Sequence, residues 1–468
     1  MLLQTLRSGR ELSVRDELEL VARLAVPAAL AQVSYILMQY IDASMVGHLG
    51  AADSAAVGLV STTLWLLYGI GGASIMGFSV QTAHCIGAED FDAARSIVRQ
   101  AFTTVMTFSA VLAAAGFLIS SHLPVWLGGD PSIAGNASDY FLMMALFLPA
   151  TFFGWLAGAL LRATGDMKTP SYLGILMCFL NCFFNFLLIF PTTTYTLFGL
   201  SLTVQGADLG IIGAAVGTGI AETIVGVIML WMLVVRSPFL SLVGRSGSFI
   251  PQAAVLRRAF SIASPVAAER ILMCGAQILS TAIVAPLGIV AIAAHTLGIT
   301  AESLCYMPGY GIGDAASTLV GQSVGAKRLD LAKRIAYKCV GAGMVVMTVM
   351  GVVLYFAAPL LMGIMTDVPE VIELGTKVLR IEAWAEPMFA AAIVSYSAFI
   401  GTGDTLIPAV MNLSSMWVVR LTVAWFLAPV YGLVGVWSAM CAELIVRGGI
   451  FLMRLKSGVW LQKQMKKI

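Results

Sequence analysis

The feature that most restricts this chain is an internal duplication. Gly165-Asp166 and Pro170 recur as Gly403-Asp404 and Pro408, 238 residues later. The same shift carries Pro27 onto Pro265, Leu49-Gly50 onto Leu287-Gly288, Ala55-Ala56 onto Ala293-Ala294 and Gly87-Ala88 onto Gly325-Ala326. Five matches at one offset indicate one folded unit written twice. Past the repeated turn the shift falls to 222, taking Gly210-Ile-Ile-Gly213 onto Gly432-Leu-Val-Gly435. The first copy therefore carries about 16 extra residues near 191 to 206, which belong in a loop if the flanking helices stay in phase.

Composition places both copies. With 59% hydrophobic and 11% charged residues, the chain lies outside the range of soluble domains and reads as a polytopic membrane protein. Its seven cysteines sit in or beside apolar runs without a CxxC, so they are expected to pack rather than to form a disulfide or metal framework. The first apolar run starts near Leu18 and continues for almost 30 residues. That is too long for a signal-peptide core and predicts an uncleaved span. At about 20 apolar residues per crossing, twelve spans are expected, centred roughly on 32, 66, 108, 150, 180, 222, 272, 306, 344, 388, 416 and 443. The expected fold class is an all-α polytopic membrane protein, with twelve transmembrane helices in two six-helix pseudo-symmetric lobes. No outer-membrane type of period-2 alternation is present.

Charge placement orients these spans. Arg95 and Arg99, Arg162 and Lys168, Arg236, Arg245, Arg257 and Arg258, and Lys327, Arg328, Lys333, Arg334 and Lys338 occupy alternate connections. The intervening ones carry no Lys or Arg, except that Lys377 and Arg380 accompany Asp367, Glu370 and Glu373. Both termini are therefore expected in the cytoplasm of a multi-pass plasma (inner) membrane protein. The expected organisation is a cytoplasmic segment 1–17, a first lobe 18–236, a polar linker 237–256, a second lobe 257–456 and a basic tail 457–468. Even parity gives the lobes one orientation, related by an axis along the membrane normal.

The repeat, the topology and the paired Gly-Asp…Pro turns together resemble the multidrug and toxic compound extrusion (MATE) transporters, of DinF/NorM-like type, over nearly the whole chain. The resemblance implies two six-helix lobes around a central cavity. It also implies export of organic, usually cationic, drug-like compounds against an inward flow of H+ or Na+, by a monomer in membrane lipid. In the family's first-lobe ion site an acid near the outer end of the first span faces polar residues of the fifth and sixth. Asp42 matches the acid, Asn181 and Asn185 the fifth-span positions and Thr218 the sixth-span hydroxyl. Many relatives carry Asp at the position of Asn185. The departure removes one negative charge and leaves H+ and Na+ both open at Asp42, Asn181, Asn185 and Thr218. In the second lobe Glu269 resembles a seventh-span coupling acid and Glu386 a tenth-span one.

Physical chemistry supports attention to these acids. An ionised carboxylate near the bilayer centre costs roughly 2.5–3.5 kcal/mol and needs a partner, water or a proton. Apart from Arg23, close to the start of the first run, no Lys or Arg falls in the apolar parts of the first six spans, so Asp42, near the other end, has no obvious cation in its own lobe. Asn181 and Asn185 are four apart and share a helix face. The alternative puts Asp42 at the wet end of its span, with the asparagines holding helices together. Glu222 suits packing or coupling equally. The second lobe mixes Glu269, Glu302, Asp314, Glu382, Glu386 and Glu443 with Arg270, Arg420 and Arg447. Glu382 and Glu386, one turn apart, would share a proton if close, and Arg420 is expected to neutralise one acid. The candidate coupling set there is Glu269, Glu302, Glu386 and Arg420, with a structural ion-pair network as the alternative.

Several signals carry no function. Gly321-Gln-Ser-Val-Gly325 matches a nucleophile-elbow pattern but ends a membrane helix with no strand before it. Asn136-Ala-Ser138 fits a common glycosylation triplet. His48, His84, His122 and His295 are scattered, with His84 and His295 the two candidates for pH sensitivity. No GxxxxGK[ST] is present, so no ATP site is expected. Nothing points to an enzyme, an organic cofactor or a nucleic-acid partner. The expected function is secondary antiport of organic cations; the alternative is a flippase for a lipid-linked precursor from the same wider superfamily.

Overall fold

A backbone crossing hydrocarbon must satisfy its own hydrogen bonds, which leaves helices for runs as apolar as these. The computed structural model describes residues 2–7, 12–197 and 200–461. Its elements are α1 (Leu2–Arg7), α2 (Val14–Gly47), α3 (Ala51–Gly87), α4 (Phe91–Ile119), α5 (Leu123–Trp126), α6 (Pro131–Ala163) and α7 (Lys168–Ile189). A hairpin of β1 (Pro191–Leu197) and β2 (Leu200–Ala207) precedes α8 (Gly210–Trp231). The second copy holds α9 (Ala253–Val284), α10 (Ile289–Gly325), α11 (Leu329–Met365), α12 (Pro369–Glu382), α13 (Glu386–Gly401), α14 (Leu406–Ser414) and α15 (Leu421–Ser457).

Local chemistry sets the ends. Ser13 and Asp16 form a capping box at α2, and Asp90 and Asp130 cap α4 and α6. The repeated Gly-Asp turn ends α6 and α13 identically. Gly165 N–H reaches the Arg162 carbonyl at 2.8 Å, and Gly403 N–H reaches Ile400 at 2.7 Å. Asp166 and Asp404 N–H close back onto Leu161 and Phe399. This is a Schellman closure, and it places glycine at φ 94° and 84°, where a Cβ is strained.

Ten helices among the described residues are long and apolar enough to cross a membrane, or eleven if a pair bent by 59° is one span. The difference from the expected twelve lies in the stretch from Leu406 to Ser457, 52 residues long. It contains the expected centres 416 and 443 and is broken by Gly432 at φ 59°, ψ −142°. The bent pair is α12 and α13, so Glu382 and Glu386 straddle a break and do not sit one turn apart on a continuous helix.

The insertion, the linker and the N-terminal segment each have structure of their own. The chain is not wholly helical: the first copy's insertion is an antiparallel hairpin pairing Thr193 with Val204 and Thr196 with Ser201, as β-branched threonines favour. Residues 198–199 of that insertion lie outside the described residues. The 237–256 linker is held against α4: Arg99 donates to the Arg245 carbonyl at 2.9 Å, Thr103 to Phe249 at 2.9 Å, and Gln100 accepts from Gln252 N–H at 2.8 Å. The expected N-terminal segment 1–17 includes α1, whose Leu6 is fully buried. Residues 1, 8–11 and 462–468, the last in the expected basic tail, lie outside the described residues.

The cores follow the duplication, except that the first long helix of each copy also packs on the other: Ala259 of α9 joins the first-copy core, and Ile262 of α9 meets Val80 of α3. Phe78, Phe152, Leu156 and Leu160 pack in the first copy, and Leu354, Leu379, Trp437 and Leu444 in the second. Leu20, Leu24 and Ala28 of α2 instead join Ile312, Leu319, Ile335 and Phe399 of the second copy, so the first long helix bridges both. Within the first copy α6 and α8 cross at backbone contact: a Cβ on Gly154 would lie 2.9 Å from Gly226 Cα. Gly154→Val should lower the stability of purified protein by about 1–3 kcal/mol through overpacking, read as a fall in apparent Tm in detergent. An unchanged Tm would mean that the crossing is looser than this.

Candidate functional site

The four first-lobe residues singled out by sequence converge. Asp42 lies near the end of α2, Asn181 and Asn185 one turn apart on α7, and Thr218 on α8. Asn185 Nδ2 donates to Asp42 Oδ1 at 2.8 Å and Asn181 Nδ2 to Oδ2 at 3.3 Å. Asn181 Nδ2 also reaches Thr218 Oγ1 at 2.9 Å, and Asn185 Nδ2 reaches Asn181 Oδ1 at 3.3 Å. Both asparagines are fully buried. Asn185 Oδ1 has no hydrogen-bond partner among the described residues. A buried acceptor without a donor is uncommon in a folded protein, and carboxylate, amide and hydroxyl oxygens are of the kind that suits a hard cation.

Asp42 also faces a chamber of about 640 Å³. Its walls come from α2, α3, α6, α8 and α10, hence from both copies. Tyr35, Tyr40, Tyr68, Tyr140 and Tyr306 line it beside Asp42 and Glu222, and none of its lining residues is Lys, Arg or His. Glu222 accepts from the Thr151 hydroxyl, and the Tyr40 hydroxyl donates to the Thr300 carbonyl across the copies. The tyrosines escaped the sequence analysis. Tyr35, Gln39 and Asp42 fall at helical spacing on one face of α2, a signal that was available, whereas Tyr68, Tyr140 and Tyr306 come together only by packing.

The second-lobe candidates divide: Glu269 has hydrogen-bond partners of its own, while Glu302 lies within electrostatic reach of both Arg420 and Glu386. Glu269 accepts from the Tyr396 hydroxyl and, at 2.8 Å, from Asn412 Nδ2. Arg420 pairs at 2.8 Å with Glu443, which Arg447 also holds at 2.7 Å. Thus Arg420 belongs to a buried Arg-Glu-Arg group. Glu302, Glu382 and Glu386 lie within electrostatic reach of one another, and neither Glu382 nor Glu386 has a hydrogen-bond partner among the described residues. Of the histidines, His295 accepts from Trp437 Nε1 at 3.1 Å, and His84 lies where the two copies meet.

A duplicated helical membrane bundle, with a chamber between its copies and a buried carboxylate on the wall, defines a membrane carrier. Comparison with known proteins makes the assignment specific. The MatE family model matches residues 27–187 and 265–426, two segments whose starts show the 238-residue spacing. "Probable multidrug resistance protein NorM" of Thermotoga maritima is 27% identical over 96% of this chain and 93% of its own length. "Multidrug resistance protein MdtK" of Edwardsiella ictaluri is 26% identical over 95% of each. The crystal structure of a mutant of the Vibrio cholerae MATE transporter VcmN superposes with TM-score 0.85 at 18% identity, covering 99% of both chains. A MOP superfamily transporter from Pyrococcus furiosus gives 0.86 at 17%, over 95% of this chain and 97% of that one. The chain belongs to the MATE family: it is a NorM-like transporter, not an enzyme.

The hydrogen-bond pattern yields a direct test. Asn185→Leu removes the shorter donor to Asp42 and should cost about 1–3 kcal/mol in apparent Tm. In an Asp42→Asn background the same change should cost clearly less, because the partners share one network. Equal costs in both backgrounds would show that the two side chains are not coupled.

Proposed function

We propose that this protein is a secondary antiporter of the multidrug type, exporting organic cations in exchange for H+ or Na+ bound at Asp42, Asn181, Asn185 and Thr218. The observation that carries the reading is the chamber: two carboxylates and five tyrosines line it without a basic side chain. Aromatic faces and carboxylates attract a desolvated cation, and an ion on Asp42 cancels one of the two charges that hold it. Substrate and coupling ion then compete electrostatically, which is the requirement for exchange through one chamber. One proton moving down roughly 100 mV supplies about 2.3 kcal/mol, so a single competent acid is sufficient.

The basic connections orient the termini to the cytoplasm of the plasma membrane. Lobes 18–236 and 257–456 rock about the 237–256 segment, and the chamber walls come from one chain, so a monomer suffices. A lipid-linked pyrophosphate would need a basic lining, which this chamber lacks. Glu269, tied to Tyr396 and Asn412, has a supporting role.

Uptake of a fluorescent organic cation into inside-out vesicles, driven separately by H+ and Na+ gradients, tests this. Wild type should accumulate the dye, Asp42→Asn should lose roughly tenfold or more of the rate, and Glu269→Gln should keep most of it. Loss in Glu269→Gln with full activity in Asp42→Asn would move coupling to the second lobe. No uptake by folded wild type under either gradient would sink organic-cation export.

A further inference from the structure

The two copies meet most closely where α3 and α10 end, on the basic face. A Cβ on Gly87 would lie 2.0 Å from the Gln322 carbonyl oxygen, and one on Gly325 would lie 2.0 Å from that of His84. Positions 84 and 322, like 87 and 325, are related by the 238-residue shift, so the contact is pseudo-twofold. The hydrogen bonds obey the same symmetry. His84 Nε2 donates to the Gly401 carbonyl at 2.8 Å, and Gln322 Nε2 donates to the Ala163 carbonyl at 2.7 Å. Ala163 and Gly401 are the last residues of α6 and α13, again 238 apart. Helix-end carbonyls lack a partner in their own helix, and here each finds one in the other copy.

An arginine backs each donor. Arg258 Nη2 lies 2.9 Å from His84 Nδ1. A guanidinium can only donate, so Nδ1 accepts and the ring proton sits on Nε2, facing Gly401. Arg7 Nε and Nη2 donate to Gln322 Oε1 at 3.2 and 3.1 Å, which turns the amide NH2 toward Ala163. Arg7 also donates to the Thr164 carbonyl at 2.9 Å and lies 4.6 Å over the Phe239 ring. Burial brings its guanidinium down to about 10, so it stays charged at neutral pH. These arginines come from α1 and α9 and are not repeat equivalents; the donors and the carbonyls are.

We propose that His84 and Gln322 are the two arms of a gate closing the basic mouth between the copies, each aimed by an arginine, and that both arms release when that mouth opens. The proposal rests on the transport reading above, with the basic face cytoplasmic. Release costs little once water enters, because the freed helix-end carbonyls are then hydrated. That makes the gate reversible.

The test is a distance. Asp92 and Asp330, both exposed in the first turns of α4 and α11, are replaced by a keto amino acid carrying a spin label, which avoids the native cysteines. Electron–electron distances are recorded in lipid nanodiscs without substrate. Wild type should give one short population. H84L/Q322L should add a longer one, its fraction rising roughly tenfold per arm, the worth of one buried hydrogen bond. H84Q keeps a donor of its partner's kind and should stay closed like wild type. If the double variant fails to fold, H84L compared with H84Q carries the same contrast. Identical distributions in wild type and the donor-less variants, or opening in H84Q as large as in H84L, would overturn the gate. The readout is a distance rather than a flux, so a responsive gate in a protein that moves no organic cation would sink the transport reading alone.

Discussion

A carboxylate inside an apolar bundle has to be answered by something, and the first copy is arranged around answering Asp42. With no basic side chain in its chamber, the charge is met by two amides from α7, one of which also donates to the Thr218 hydroxyl of α8. Those groups can lower the cost of the charge without abolishing it, because each contributes only a dipole. A group held in that way is sensitive to the arrival of a cation or a proton, which is the property a coupling site needs. A full ion pair would have quenched it. The second copy shows that contrast within the same chain. There Glu443 sits between Arg420 and Arg447, its carboxylate answered directly by two guanidiniums, an arrangement that holds α15 to the segment before it.

Duplication gives the molecule its mechanics. Two copies of one unit joined in parallel can meet along a pseudo-twofold axis, and any contact on that axis is made twice. At the basic face the contact is between glycine and backbone, while in the opposite half the copies enclose the tyrosine-lined chamber. The first long helix of each copy reaches into the other, and the linker has no counterpart. Helix α2 packs into the second copy's core and its repeat equivalent α9 against α3 of the first, while the linker lies along α4. Relative motion of the copies therefore has to slide α2 or bend it, and Pro27 within it removes one of the hydrogen bonds that would resist bending.

Much of this was legible in the sequence because its causes are local or periodic. Apolar runs of bilayer length, the 238-residue offset and alternating basic connections yield the architecture without coordinates. Asp42, Asn181, Asn185 and Thr218 were legible because a charge and two amides four residues apart are conspicuous in apolar helices. Less legible were the breaks. α12 and α13 bend where one span centred on 388 was expected, and the Thr-rich insertion pairs as strands where a loop was expected, whereas the break at Gly432 falls between the expected centres 416 and 443.

What the sequence by itself determined is that this chain is a duplicated, helical membrane protein with uncompensated acids in its spans. Hydropathy, periodicity and charge are properties of segments and survive without knowledge of what lies beside them. Tertiary structure decided which polar groups meet: that Glu269 answers to Tyr396 and Asn412, that Arg420 belongs to Glu443, that five tyrosines face Asp42, and that His84 and Gln322 reach helix ends in the opposite copy. Those pairings join residues from 23 to 317 positions apart. No segment-level property encodes them, because they depend on how helices rotate and cross, which is set by small residues at contact points and by the summed packing of both copies.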